Sequence, residues 1–422
     1  MSMKKSSLYY GLGVFTLLLL MGIYSCRKTN AIENNTVVET PYSLYFSDTA
    51  GTLFVTNDGK VAKVVFTPDG KTCRSVVTSS TNILWAKDNL YFSSNNGQNF
   101  NHAFDSLNTS SNYNVGGKPS VAINGLPIDF NQTMIINLPT WGNRDYAICP
   151  TPTIAGGTNW LGLVHSDANG APGSWGLDGY NSYTVAGTVV SHVGKLPVRM
   201  TSFTQLTNGY LCGLAFEYGP QISAYAITNH IRYVRNFYKP ANDNTAPGNQ
   251  WTETTSNPDN VGGIGVSSLV GTPLPPTVAS GKKDTSFFTL GHYNNRLIAI
   301  DRIGRYGAWY SDDYGANWFQ YSGLPANVPL LCVASPFEQV SMIGTDSAGL
   351  YILNLNTGAW QQSNVGLGTS LVVRNIAFKE NILKNSTVQQ FIYLATNKGI
   401  YQSTNGGLSW TLTIPGNFVS VY

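Results

Sequence analysis

Arg74, Arg199 and Arg374 stand far apart in the 422-residue chain, each within a run of strand-like residues, while Arg302 and Arg305 share a turn-like stretch. A guanidinium is permanently charged and presents a planar fork of donors, so it suits a carboxylate ligand; the same fork also braces carbonyl oxygens and carboxylates inside a fold. Both uses are open for these arginines. Glu217-Tyr218 puts a carboxylate beside a phenol. The histidines, His102, His165, His192, His230 and His292, are isolated and lack metal-ligand spacing, so loop or sheet roles are expected, with no metal site and no cofactor. Cys73, Cys149, Cys212 and Cys332 form no C-x-x-C pair and lie in apolar strand-like contexts, where buried free thiols are expected. The chain has no G-x-S-x-G, P-loop or dinucleotide fingerprint.

The elements that position these groups are strands and turns. The composition is rich in Gly (43), Tyr (24), Phe (18) and Trp (9) and only 11% charged, which suits many short strands and many turns. Its 25 basic and 22 acidic residues are scattered, giving a net charge of +3 and no basic stripe, so no nucleic-acid partner is expected. From residue 42 onward, apolar alternation of period two is broken at short intervals by turn residues, with no long stretch at helical period.

One turn repeats. Ser311-Asp312-Asp313-Tyr314-Gly315-Ala316-Asn317-Trp318 reads S-x-D-x-G-x-x-W between two apolar runs. Ser311 and Asp313 can fold side-chain oxygens onto backbone N–H groups, Gly315 can take a positive φ, and Trp318 can cover the adjoining sheet. Ser403, Asn405, Gly407 and Trp410 keep the pattern with Asn for Asp; Ser93, Asn95, Gly97 and Phe100 keep it with Asn and Phe. Two of three copies lack the carboxylate, so the carbonyl-type oxygen matters and the charge does not. A worn copy ends at Trp360, and Ser166-Asp167 running on to Trp175 reads as a copy with an insertion. Trp318 to Trp360 is 42 positions and Trp360 to Trp410 is 50, a period that suits a four-stranded unit.

These turns resemble the Asp-box, or BNR repeat, of sialidase-like β-propellers. The resemblance implies an all-β propeller, expected with seven blades of four antiparallel strands, six and eight being the neighbouring counts. The last complete unit parses as strands at 372–378, 390–396, 399–403 and 410–414, the first of them innermost. The same template places inner strands near 328–334, 261–270, 197–203, 120–123 and 72–78. Residues 43–47, 52–57 and 61–66 make a three-strand unit without an inner strand, and residues 418–422 are an orphan strand. Joining them closes the ring through both termini and removes exposed edges. No domain is expected beyond Tyr422.

The N-terminus reads as an export signal. Lys4-Lys5 precede an apolar core over residues 8–24, and Ile23-Tyr24-Ser25-Cys26 resembles a bacterial lipobox, with Tyr24 departing from the usual small residue. The expected organisation is a lipoprotein-type signal peptide (1–26), a polar tether (27–41) and one propeller domain (42–422). Cys26 would carry the lipid and hold the protein at the membrane of a bacterial cell envelope.

Two functions compete. The sialidase resemblance implies three arginines gripping a carboxylate, a tyrosine nucleophile with a glutamate partner, and an aspartate acid/base. Arg74, Arg199, Arg374, Glu217 and Tyr218 supply most of those types. The family's aromatic-Arg-Ile-Pro run is absent, and Cys73-Arg74-Ser75-Val76 matches it only at Arg. The other function, preferred here, is a monomeric, non-catalytic binding or scaffold module for a protein or a glycan at the propeller face or channel. Residues 241–250 and 271–283 are too long for hairpin turns, and Trp141, Tyr180 and Tyr183 have the flat rings that stack on sugars.

Overall fold

The computed structural model describes residues 38–40, most of 42–102, strands between 106 and 253 (largely as backbone), and most of 288–422. Among the described residues the strands form seven sheets of four or more strands and one two-stranded pair. Five of the seven have four strands. The inner strand of one sheet meets that of the next: Val373–Leu383 touches Leu330–Ala334 on one side and Phe418–Val421 on the other, and Phe418–Val421 also meets Ser75–Ser79. Antiparallel sheets packed side by side around their inner strands make the fold a β-propeller.

The ring closes through the C-terminus. Phe418–Val421 is the inner strand of a sheet continued by Leu44–Asp48, Leu53–Thr56 and Lys63–Phe66. Phe46 lies opposite Val421 and Ser47 opposite Ser420, and Tyr45 and Tyr422 exchange N–H···O=C bonds of 2.8 Å in both directions. The apolar core is distributed between adjacent sheets. Leu44, Phe46, Phe418 and Val421 of the closing sheet pack against Ala377, Tyr393 and Ile400 of the last one. Phe418 stands edge-on to both Phe46 and Phe54, at centroid distances of 5.0 and 6.0 Å.

The repeated turns share one hydrogen-bond pattern. Ser311 Oγ donates to Asp313 Oδ1 (2.7 Å) and accepts from Gly315 N (2.8 Å), while Asp313 Oδ1 accepts from Asn317 N (2.8 Å). At Ser403 the three distances are 2.9, 2.9 and 3.0 Å, and at Ser93 they are 2.9, 2.9 and 3.1 Å, with an Asn amide oxygen replacing the carboxylate. Gly97, Gly315 and Gly407 take φ of 82°, 91° and 87°, where a Cβ is disfavoured. Trp318, Trp360 and Trp410 are buried. The turn ending at Trp360 is built differently: Asn354 Oδ1 accepts from Asn356 N and Thr357 N, with no serine hydroxyl at its head. The copy proposed after Ser166 lies outside the described residues.

The structure departs from the sequence template in three places. Val121–Ala122, expected as an inner strand, pairs among the described residues only with Ser106–Leu107; the neighbouring four-stranded sheet begins at Gln132–Leu138. Residues 261–270 lie outside the described residues, and the sheet carrying the Ser311 turn begins at Phe288–Tyr293. Two sheets exceed four strands. One gains Ser182–Val185, parallel to Trp251–Glu253, together with Thr188–Ser191; the last gains Val38–Thr40 on the edge of its inner strand. In each case a free strand edge accepted an extra partner, which local periodicity does not register.

Candidate binding site

The inner strand of the last sheet, Val373–Leu383, carries one predicted arginine near its start and an apolar face near its end. Arg374 is half-buried, and its guanidinium donates to Asn417 Oδ1 (2.6 Å) and to the Phe418 carbonyl (2.8 Å). Burial lowers its pKa, against the opposing field of Asp346. Both acceptors introduce the closing strand, so Nη1 of Arg374 ties the last sheet to the C-terminal one. Arg296 is also engaged in the fold, forked onto Asp312 at 2.7 and 2.9 Å and lying 4.3 Å over the Tyr310 ring.

Farther along, Val373–Leu383 and Val388–Thr396 form a long hairpin in which Phe378 faces Ile392, Glu380 faces Gln390 and Ile382 faces Val388. Strand alternation puts these six residues on one face. Phe378 and Ile382 are each 42% exposed and Val388 is 48% exposed, while Gln390 Nε2 donates to Glu380 Oε1 at 2.9 Å. The opposite face is covered. Tyr42 packs on Phe391, its N–H donates to Asn381 Oδ1 and its hydroxyl meets that of Tyr393.

Against the exposed face stands the turn that follows the preceding inner strand. Its Pro336–Glu338 segment holds two successive non-glycine residues in the left-handed region, Phe337 at φ 55° and Glu338 at φ 52°. Such conformations cost on the order of 1–3 kcal/mol each and persist only where their surroundings impose them. Here the surroundings are specific. Glu338 Oε1 lies 3.0 Å from His292 Nε2, its other oxygen accepts the Asn294 N–H, and Ser335 Oγ donates to the His292 carbonyl. His292 Nδ1 in turn lies 2.9 Å from Thr204 Oγ1. The strained turn aims Phe337 at Phe378, with ring centroids 5.0 Å apart at 65°. Between turn and hairpin lies a cleft of about 420 Å³ whose lining includes Phe337, Gln339, Val340, Gln390 and Ile392.

Thr204, His292 and Glu338 have the order of a hydroxyl–imidazole–carboxylate relay. Thr204 is only 4% exposed, however, so its oxygen is closed to a substrate and the relay acts as a brace across three sheets. The spacing rule found His292 isolated because its partners come from distant strands. Sequence reasoning also passed over Lys87. Its buried ammonium sits 2.5 Å from Asp69 and within 4.4 to 5.8 Å of the centroids of Trp85, Phe66 and Tyr91. Desolvation pushes Asp69 up, but the Lys87 hydrogen bond, the Lys71 N–H and the two lysine charges together bring it below the usual carboxylate range. With its charge matched and its stem packed, Lys87 braces the closing sheet against the next.

The remaining predicted residues are placed as follows. Arg199 occupies the second position of Val198–Gln205, and Glu217 and Tyr218 lie on the adjoining strand Tyr210–Gly219, Glu217 opposite Val198. Arg74, Cys26, Arg305, Trp141 and Tyr180 lie outside the described residues. Arg302 is exposed. Cys73, Cys212 and Cys332 are free, and burial pushes the thiols of Cys73 and Cys332 up to about 12 and that of Cys212 further upward. Among the described residues no group of His, Cys, Asp and Glu could hold a metal, and no helix is long and apolar enough to cross a membrane.

No family model matches the chain, and no curated protein does. Solved structures do. YCF48 bound to a D1 peptide is 13% identical over 90% of this chain and 92% of that one, with a TM-score of 0.45. YCF48 from Cyanidioschyzon merolae is 12% identical over 82% and 86%, with a TM-score of 0.44. The Penicillium chrysogenum alpha-L-arabinanase complexed with arabinobiose is 13% identical over 72% and 85%, with a TM-score of 0.34. At these values the fold stands on the sheets and their order.

Proposed function

We propose that this protein is a non-catalytic binding module, exported and held at a bacterial membrane by a lipid on Cys26, that takes a protein partner in the cleft between the Phe337 turn and the hairpin face. The observation that carries this reading is the strained turn. Two unfavourable backbone conformations are held by contacts from other sheets, and what they present to solvent is an aromatic pair beside a cleft of about 420 Å³, within the size range of ligand sites. The lining pairs aliphatic and aromatic side chains with glutamine amides, the mixture that anchors a protein segment. Arg374 is engaged by the closing strand, which favours this reading over a glycoside hydrolase. In the same reading the serine-headed turns are Asp-boxes, and the seven larger sheets are the seven blades of a monomeric ring.

The test is photo-cross-linking from position 378 in cells, with position 319 as control, since Phe319 is a comparably exposed aromatic on an outer strand. The expected result is one discrete protein adduct from 378, none from 319, and rebinding of that protein in purified form. A glycan adduct would favour the second ligand class, and equal labelling from both positions would remove the cleft as the site.

A further inference from the structure

We infer that the tip of the hairpin, Ile382 to Val388, rests on the surface of an anionic lipid bilayer, the one to which the chain is tethered. The inference uses the lipid anchor proposed above but stands on separate observations. Val38–Thr40 runs antiparallel to the hairpin, with Thr40 opposite Ile382 and Val38 opposite Leu383. Followed toward the N-terminus, the chain is therefore heading for the tip when it leaves the sheet. Cys26 is 12 positions before Val38, a reach of at most about 40 Å when fully extended. Whatever holds Cys26 at a bilayer thus brings this end of the disc near the lipid.

The tip is built for that neighbourhood. Ile382 and Val388 face each other across the two strands and both stand in solvent. Lys384 is exposed between them, and residues 381–390 hold one cation and no carboxylate. Arg27 and Lys28 follow Cys26 directly. Exposed aliphatic side chains beside a lysine match the acyl–headgroup boundary of an anionic membrane, where the chains enter and the cation meets lipid phosphates. Glu380, the nearest carboxylate of the hairpin, lies two positions behind Ile382 and accepts from Gln390. The other exposed valines, such as Val64 on an outer strand and Val61 in the turn before it, do not lie where the chain leaves for the anchor. So small a contact orients the disc; the anchoring belongs to the lipid.

The experiment places an environment-sensitive dye on Val388→Cys, and separately on Val61→Cys, in the full chain reconstituted through its N-terminal segment into phosphatidylglycerol vesicles carrying nitroxide-labelled lipid. Unsubstituted protein measures labelling of the native thiols. The expected result is quenching at 388 several-fold stronger than at 61, and a drop toward the level at 61 when Ile382→Ser is added. Equal, weak quenching at both positions overturns the inference, and so does a blue-shifted but unquenched dye at 388, which in vesicles holding this chain alone would mean that a second copy covers the tip. Acylation of Cys26 is read independently by intact mass. Quenching at 388 without acylation sinks the lipid-anchor reading alone, and acylation without quenching sinks the tip contact alone.

Discussion

Near its start, the strand Val373–Leu383 spends a cation on construction: Arg374 Nη1 donates both to Asn417 Oδ1 and to the Phe418 carbonyl. A few residues on, the same strand leaves Phe378 in solvent, opposite a turn whose strained backbone His292 helps to hold. Charge at one end ties two sheets together, and apolar surface at the other stands in solvent. Residue type alone would have assigned them the other way, because arginines invite a catalytic reading and a phenylalanine in a strand invites a core one.

The largest expected effect comes from removing what Arg374 holds. A chain ending at Gly416 loses the paired strand Phe418–Val421 and the buried side chains of Phe418 and Val421. The cost should be on the order of 5 kcal/mol, from apolar burial and ladder hydrogen bonds together. Thermal unfolding reads it, and an unchanged midpoint would mean that the termini do not close the ring.

Lys379 separates the two ends of the strand and sharpens the contrast between them. Its ammonium lies 4.7 Å over the Tyr422 ring, and desolvation lowers its pKa to about 8. A lysine whose folded pKa is depressed penalises the folded state below that value, where both states are protonated. The penalty is relieved as pH rises from about 8 toward the unfolded value near 10.4, because the folded chain sheds its proton first. Lys379→Met should therefore stabilise the protein at pH 7 by up to about 3 kcal/mol, with the gain shrinking by pH 10. Urea titrations at both pH values check the sign.

Arg374→Ala leaves the Phe418 carbonyl without its donor and should cost about 1–2 kcal/mol, with Arg374→Lys recovering part. Glu338→Gln weakens a partly buried contact between the carboxylate and His292 Nε2 and should cost about 0.5 kcal/mol in stability. Its larger effect should fall on the Phe337 turn, visible as faster amide exchange at residues 336–339 and little change elsewhere.

Much of the builder's end was legible in the sequence. The serine, Asp/Asn and glycine positions of three turns dictate local hydrogen bonds, and local chemistry is what a sequence displays. Residues 399–403 were bounded as the strand Gly399–Ser403 runs, and the orphan strand at 418–422 pairs with 44–48 as expected, since an unmatched strand and a sheet lacking one have one economical solution. The hairpin end was not legible. The sequence template ends the inner strand at 378, whereas the partner strand Val388–Thr396 and the added Val38–Thr40 carry it on to Leu383. Likewise no residue pattern marks Phe337 and Glu338 for positive φ; tertiary contacts impose it. His292 shows the same limit, its partners Thr204 and Glu338 arriving from other sheets.

The most direct test sets the two ends against each other in one titration, measuring the affinity of the partner captured at position 378 for Phe378→Ser and for Arg374→Lys. The account predicts a loss of about tenfold or more for Phe378→Ser, the scale of a buried aromatic anchor, and no change beyond about twofold for Arg374→Lys. Binding that falls with Arg374 and survives Phe378→Ser, or turnover of a fluorogenic sialoside that disappears with Arg374→Lys, would contradict it.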